Sequence, residues 1–339
     1  MNRVHKPLGE QVIVITGASS GIGLATARMA AERGARVVLA ARDGEALARI
    51  RNEIEAAGGR ALDVVADVGR RSDVQAIADR AVAEFGGFDT WVNVAGLTIY
   101  GYLWEVSDED AARLLQTNLW GTMYGSLVAT EHLRQRGGAL INIGSVASDL
   151  AFPLQGIYCA SKHAVKGFTD ALRMELLQVG APVSVTLIKP TSIDTPLPQR
   201  ARNYTDAEPK LPPPVYPPEE VANAILHAAV HPQRDIFVGG GGKILSGLKE
   251  FAPGAYDLLA PAVTSLQRRN EAPRHPEGAL HRPSGDGHAH GSHPGYVMRT
   301  SAYTRASLNP LATAGMVAAG VAMTAALMLT GGGRGGRRS

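Results

Sequence analysis

Tyr158 and Lys162 stand four residues apart in Tyr158-Cys159-Ala160-Ser161-Lys162. On a helix that spacing puts both side chains on one face. An ammonium beside a phenol favours the phenolate and draws its pKa below the reference value of about 10. A tyrosine so placed can exchange a proton with a hydroxyl or carbonyl oxygen near neutral pH. The pair alone is common on helix surfaces and carries little weight. Ser145 strengthens it, ending the apolar run Ile141-Asn142-Ile143-Gly144-Ser145 shortly before Tyr158. In open parallel sheets, ligand-facing groups gather at the carboxyl ends of strands. The Ser145 hydroxyl could bond the oxygen that Tyr158 protonates; seen alone, it reads as a loop cap. Asn118, in Gln116-Thr117-Asn118-Leu119-Trp120-Gly121, sits inside a long helical pattern. Asn is a mediocre interior helix residue. It can kink the helix and hold a water that relays protons to Lys162, or it can be an exposed polar residue.

A second group of residues suits phosphate. An apolar run leads directly into Thr16-Gly17-Ala18-Ser19-Ser20-Gly21-Ile22-Gly23. Gly17 permits a tight turn, Gly21 lets backbone approach a pyrophosphate, and Gly23 allows close helix–strand packing. The helix that follows offers free N–H groups and a positive dipole end. A lone Gly triad is weak and can be a Gly-rich turn with no ligand, but this one follows a strand and opens a helix, as the motif requires. The next apolar run ends in Ala40-Ala41-Arg42-Asp43. An acidic residue near such a strand end holds the ribose 2′-hydroxyl of NAD, whereas an Arg takes the 2′-phosphate of NADP. Ala41 fills the acidic position and Arg42 follows, so NADP(H) is the preferred cofactor, with NAD(H) the alternative. Otherwise Arg42 is a surface charge. Asp43 reads as the cap of the next helix. Asp67, followed by Val68, can accept from an adenine amino group or cap the helix starting near residue 72. Asn93-Val94-Ala95-Gly96 puts small residues where backbone passes close to a cofactor.

These groups need a frame, and the chain supplies one. Segments 11–16, 36–41, 61–66, 89–94, 139–143, 183–188 and 235–238 are rich in Val and Ile and bounded by Gly, Asp or Pro, as strands are. Helical patterns lie between them, at 21–33, 72–85, 108–134 and 158–179. The alternation predicts an α/β fold, a doubly wound seven-stranded parallel sheet of Rossmann type with helices on both faces. Residues 190–218 form an irregular, proline-containing segment of the kind that is functional or mobile.

In these motifs the sequence resembles the short-chain dehydrogenase/reductase superfamily, in its compact single-domain branch. Those that match are Thr16-Gly17-x-x-x-Gly21-x-Gly23, Asp67, Asn93-x-Ala95-Gly96, Asn118, Ser145, Tyr158-x-x-x-Lys162 and Lys189-Pro190-Thr191-Ser192-Ile193-Asp194-Thr195. They span about residues 8–240, and their order and spacing agree. The resemblance implies an oxidoreductase interconverting an alcohol and a ketone or aldehyde by hydride transfer. It makes Tyr158 the general acid/base, and Lys162 the group that lowers its pKa and binds the nicotinamide ribose. Ser145 would orient substrate and Asn118 complete a proton relay. It extends the cofactor-binding set to Ser19, Ser20, Ile22, Val68, Asn93, Pro190 and Thr195, the last on the nicotinamide carboxamide. It also implies a homodimer or homotetramer built on the helices carrying Asn118 and Tyr158. The chain departs from the family pattern at Val94, where a second Asn is usual, and at Thr191, where Gly is usual. Neither removes a catalytic group. Leu97, Phe152, Leu154 and Tyr204 are candidates to line an apolar substrate pocket. The rival from another class is a catalytically silent dinucleotide-binding regulator, which would have no need of the full Tyr/Lys/Ser/Asn set.

The 339 residues carry a net charge of only +3, and 19% are charged, which gives no case for nucleic acid. One cysteine, Cys159, forbids an internal disulfide and fits a reducing compartment. Residues 1–10 lack the apolar core of a signal peptide, so a cytoplasmic location is expected. The catalytic domain is expected over residues 8–250, followed at 251–310 by an irregular linker, disordered for want of apolar surface. Residues 311–330 are uncharged and rich in Ala and Gly, roughly 30 Å long as a helix. That segment is a candidate membrane contact, a docked helix or a disordered tail. Arg334, Arg337 and Arg338, in the Gly/Arg tail 331–339, run against a span with positive charge inside. His281, His288, His290 and His293 lack the Cys or rigid frame of a designed site, and no functional metal is expected.

Overall fold

The computed structural model describes residues 5–283, 287–309 and 313. Seven parallel strands form its main sheet: β1 Val12–Thr16, β2 Arg36–Ala41, β3 Arg60–Val65, β4 Thr90–Asn93, β5 Gly138–Ile143, β6 Val183–Pro190 and β7 Asp235–Val238. Their order across the sheet is 7-6-5-4-1-2-3. The order reverses between β1 and β4, where Ile13 pairs with Thr90 and Thr16 with Asn93. Such a reversal opens a crevice above the carboxyl ends of the strands. β1 is buried along its whole length because it is covered from both sides. Its alternate side chains serve opposite layers: Ile13 and Ile15 join one core, Val12 and Val14 the other.

The first layer is closed by α1 Gly21–Glu32, α2 Gly44–Ala56 and α7 Pro218–Val230. The second is closed by α3 Arg71–Phe85, α5 Gly121–Arg136 and α6 Gly156–Gln178. Between α3 and α5 come α4 Asp108–Leu115 and a π-helical turn, Gln116–Trp120. Each fully buried Ile or Leu of these layers is worth about 2 kcal/mol in area removed from water. Caps fix the helix starts: Asp43 accepts from Ala46 N–H at 3.0 Å, and the Ser107 hydroxyl accepts from Asp110 N–H at 3.2 Å. Asp43 is therefore a cap, as its place just after Arg42 suggested.

The chain beyond residue 250 differs from the expected disordered linker. α8 Gly240–Phe251 and α11 Ala302–Leu308 pack onto the sheet domain, α9 Pro253–Asp257 brings Tyr256 into a cluster with Val146 and Phe237, and α10 Ala260–Leu266 leads into Gln267, whose side chain donates to Pro153 O. Residues 268–283 and 287–301 make few regular elements but are tied down by backbone bonds. Asn203 N–H reaches Pro276 O at 2.8 Å, and Ala279 N–H reaches Arg200 O at 2.8 Å. Leu280 is buried with Ile99 and Leu114, and Ala289 and Leu308 join the first core. Composition misleads here because a few apolar anchors and main-chain hydrogen bonds hold the segment. Low apolar content of its own does not leave it unpacked. The apolar segment 311–330 and the Gly/Arg tail lie outside the described residues apart from residue 313. Among the described residues, no helix is long and apolar enough to cross a membrane.

Candidate active site

A cavity of about 450 Å³ lies above the carboxyl ends of the strands. It runs from the β1–α1 turn past Tyr158 to α10, so one trough holds both sets of residues singled out by spacing.

The β1–α1 turn forms one end. Gly17 has φ +69° and Gly21 φ +53°, where side chains are rarely tolerated. A Cβ at Gly17 would lie 2.8 Å from the Ala95 backbone, and one at Gly23 only 2.1 Å from Gly17 O. Gly17, Ser19, Ser20, Gly21 and Ile22 line the cavity, whereas Gly23 serves packing beneath it. The floor is set by Thr16, whose hydroxyl accepts from Val94 N–H at 3.1 Å and Ala95 N–H at 3.3 Å. Ala95 and Gly96 therefore line the cavity. Asn93 does not: it is buried behind the sheet, donating to Asn142 Oδ1 at 2.8 Å and accepting from Trp91 Nε1 at 2.9 Å. Its role is to hold β4 to its neighbours, and the small residues after it do the lining. This open, glycine-walled trough beside a helix start fits a dinucleotide.

At the end above β2 and β3, Arg42, Asp67 and Val68 line the trough. Arg42 donates to Ala279 O at 2.6 Å and Leu280 O at 3.1 Å. Burial, with Arg113 beside it, holds its pKa below the usual arginine value. Burial pushes against ionised Asp67, but hydrogen bonds from Gly69 N–H at 2.9 Å and Arg113 at 2.7 Å hold its carboxyl below the usual range. Asp67 thus ties its own loop. Gly21 N–H meets His288 O at 3.0 Å, so the C-terminal segment roofs this end. His281 and His290 fasten it, at 2.7 Å to Asp110 and 2.9 Å to Glu219. Arg200 reaches over from the 191–217 loop to Ser20 Oγ at 2.7 Å. None of these roof contacts was legible in the motifs, because they join segments far apart in sequence.

Tyr158 and Lys162 both lie on α6 and line the cavity, as does Ser145 at the end of β5. Burial pushes the Tyr158 phenol up to about 12, and the Ser145 side chain opposes that by hydrogen-bonding it. Lys162 Nζ donates to Ile143 O at 2.8 Å and sits 5.8 Å from the Tyr158 ring centre. Burial brings its ammonium down to about 8. Burial therefore moves the two groups in opposite directions: it holds the proton on the phenol and loosens the one on the ammonium.

Asn118 is fully buried in the π-helical turn, not exposed. It accepts from Leu97 N–H at 2.7 Å and donates to Leu97 O at 2.9 Å and Ser161 Oγ at 3.2 Å. It stands behind the cavity wall. Pro190 and Thr195 line the cavity, and a Cβ on Gly21 would lie 3.3 Å from Thr195. Thr191, where the family usually has Gly, bonds Val238 O with both its N–H and its hydroxyl, each at 3.0 Å. Leu97 and Phe152 line the cavity. Leu154 and Tyr204 do not; the Tyr204 hydroxyl is engaged by Asp110 at 2.7 Å. Residues that spacing could not find include Gln155, Leu245, Val263 and Gln267, which close the end beyond Tyr158.

Comparisons with known proteins agree with this geometry. The short chain dehydrogenase family profile matches residues 11–205. An uncharacterized oxidoreductase of Bacillus subtilis (strain 168), YxnA, is 45% identical over 95% of this chain and 92% of that protein. A putative oxidoreductase of Mycobacterium tuberculosis, SadH, is 33% identical over 74% of this chain and 94% of its own length. Among solved structures, a short chain dehydrogenase/reductase from Burkholderia phymatum in complex with NAD has a TM-score of 0.66 at 30% identity. The match covers 74% of this chain and 96% of that one. An alcohol dehydrogenase from the archaeon Thermococcus sibiricus, complexed with 5-hydroxy-NADP, has a TM-score of 0.60 at 25% identity, over 67% and 95%. The chain belongs to the short-chain dehydrogenase/reductase family, and is an oxidoreductase acting on CH–OH groups with NAD(P).

Proposed function

We propose that the protein is an NADPH-preferring carbonyl reductase in which Tyr158 delivers the proton. The observation that carries this reading is the convergence of Tyr158, Ser145 and the glycine-walled trough in one cavity. When bound, the dinucleotide supplies the hydride. Ser145 orients the carbonyl oxygen, and Tyr158 Oη gives that oxygen its proton. Lys162, held on Ile143 O, binds the nicotinamide ribose and offsets charge on the phenol as the proton leaves. Asn118 fixes the π-helical turn that backs this group. Burial pushes the Tyr158 phenol up to about 12 and so keeps it protonated at neutral pH, the state a proton donor to a carbonyl oxygen needs.

NADPH preference rests on Arg42, the cation at the strand end where an acidic residue would read NAD. Exposed Trp120 and Leu127, with Met174 and Leu177 on α6, support a homodimer or homotetramer through those helices.

Fluorescence titration with NADPH and NADH tests the reading. NADPH binds at least tenfold more tightly, about 1.4 kcal/mol, and Arg42→Gln removes most of that gap. Tyr158→Phe binds both as before but loses a hundredfold or more, roughly the general-acid contribution. Equal affinity for the two coenzymes would overturn the NADP assignment. Full turnover by the Tyr158→Phe variant would overturn the catalytic one.

A further inference from the structure

The donors that suit a dinucleotide are engaged by the chain itself. At the start of α1, Gly21 N–H donates to His288 O at 3.0 Å. At the end of β2, Arg42 donates from Nη2 to Ala279 O at 2.6 Å and from Nη1 to Leu280 O at 3.1 Å. All three acceptors are main-chain carbonyls of the C-terminal segment, in the stretches 278–283 and 287–291. Ala279, Pro283 and Gly287 of those stretches line the same trough as Gly21 and Arg42.

A carbonyl and a phosphate ask for the same thing here. A backbone amide carries one hydrogen, so Gly21 N–H serves one acceptor at full strength. A phosphate drawn to this helix start meets His288 O in its way. A guanidinium takes a phosphate through two parallel N–H groups, and both terminal nitrogens of Arg42 hold carbonyls instead. The fasteners lie outside the trough. His281 Nε2 meets Asp110 Oδ1 at 2.7 Å, and His290 Nε2 meets Glu219 Oε1 at 2.9 Å. Ala279 N–H donates to Arg200 O at 2.8 Å and Gly291 N–H to Asp194 O at 3.3 Å. Leu280 and Ala289 add buried apolar anchors. Hydrogen bonds to an ionised phosphate are roughly twice as strong as those to a neutral carbonyl. A phosphate can therefore displace the carbonyls, but only against the hold of these fasteners.

We propose that these two stretches form a self-inhibitory strap: their carbonyls occupy the donors that the coenzyme phosphates require, and coenzyme binds only when the strap has lifted from Gly21 and Arg42. The proposal rests on the dinucleotide reading of the trough. The strap makes no contact that the bound coenzyme needs, so it acts by competition alone. The apparent Kd is then the intrinsic Kd divided by the fraction of molecules with the strap lifted. Loosening the fasteners raises that fraction and tightens coenzyme binding without adding any contact. A roof that closed upon the coenzyme would respond in the opposite sense, because the same loosening would weaken binding.

Amide hydrogen exchange on the full chain, with and without saturating NADPH, reads the strap directly. With coenzyme bound, the Ala279 and Gly291 amides are expected to exchange roughly tenfold faster or more, while the β1 amides do not speed up. A second measurement uses the double variant His281→Ala with His290→Ala, neither of which lines the trough. Losing two such hydrogen bonds is expected to tighten NADPH binding roughly tenfold, chiefly through faster association in stopped-flow fluorescence. Native exchange at β1 in the variant reports that the fold is intact. Slower exchange at Ala279 and Gly291 with NADPH, or weaker NADPH binding by the double variant, makes the segment a closing roof and overturns the proposal. No change in either measurement overturns it too, and both results leave the coenzyme reading in place. Failure of the native chain to bind NADPH overturns that reading and the proposal together.

Discussion

Two buried groups at the candidate active site oppose each other in their effect on stability. Lys162 has its pKa brought down by burial to about 8. Between about 8 and its ordinary 10.5, the unfolded chain holds a proton that the folded chain has released, so stability rises with pH across that window. Tyr158 has its pKa pushed up to about 12, so above 10 the folded chain keeps a proton the unfolded one loses, and stability falls again. At neutral pH the buried ammonium therefore costs about 3 kcal/mol of stability, an order-of-magnitude figure from its pKa shift. Lys162→Met is expected to melt roughly 5 °C higher at pH 7 while losing activity, the gap narrowing as pH is raised through 8 towards 10.5. Thermal melts of both proteins at a series of pH values check this. An unchanged melting temperature at pH 7 would mean that the bond to Ile143 O offsets the burial. That Tyr158, Ser145 and the glycines meet at one cavity was legible because they carry fixed spacing within single turns or strand ends. The electrostatic balance between them was not. Spacing says which groups meet but not how dry the place is where they meet.

The elements around these residues read well wherever local rules govern them. The β-rich runs became the seven strands, the inner ones because they are buried from both sides and the edge strand Arg60–Val65 by pairing along β2. Asp43 proved a cap because a cap needs only a carboxylate and a nearby N–H. Asn93 reads differently: the small residues after it face the cavity, while its own side chain faces the layer behind. In a strand, neighbouring side chains point to opposite faces, so a motif letter alone does not say which way a residue looks. The β1–α1 junction makes the strongest demand on sequence. Gly17→Ala forces an alanine into φ +69° and sets its Cβ 2.8 Å from the Ala95 backbone. This substitution is expected to cost about 2 kcal/mol of stability. Because Ala95 is displaced, NADPH affinity should fall by more than tenfold. Denaturant unfolding and coenzyme titration measure the two effects separately, and native values in both would show that the turn tolerates a side chain.

Across the whole molecule, the largest departure from the sequence reading is the chain after residue 250. Its ends are far from the cofactor motifs in sequence, and its anchors are single residues, so no periodicity marks it. Leu280 is the clearest anchor, buried between Ile99 and Leu114 beside the backbone carbonyls that meet Arg42. Leu280→Ala is expected to cost about 3 kcal/mol, in line with other buried Leu truncations. It should also expose residues 268–283 to protease. Limited proteolysis followed by mass mapping locates the new cuts, and a resistant variant would show that the hydrogen bonds alone secure the segment.

The docking of Ala279, Leu280 and His288 on Arg42 and Gly21 also has a meaning in time. The glycine turn leaves the ribosome long before the backbone that roofs it. At ordinary rates of synthesis the delay is on the order of tens of seconds. During that interval the sheet can form from its own sequential strands, while the trough stands without its last wall. The growing chain would present an open cleft where the finished protein presents a roofed one. The order in which the residues are made thus sets when that wall can close.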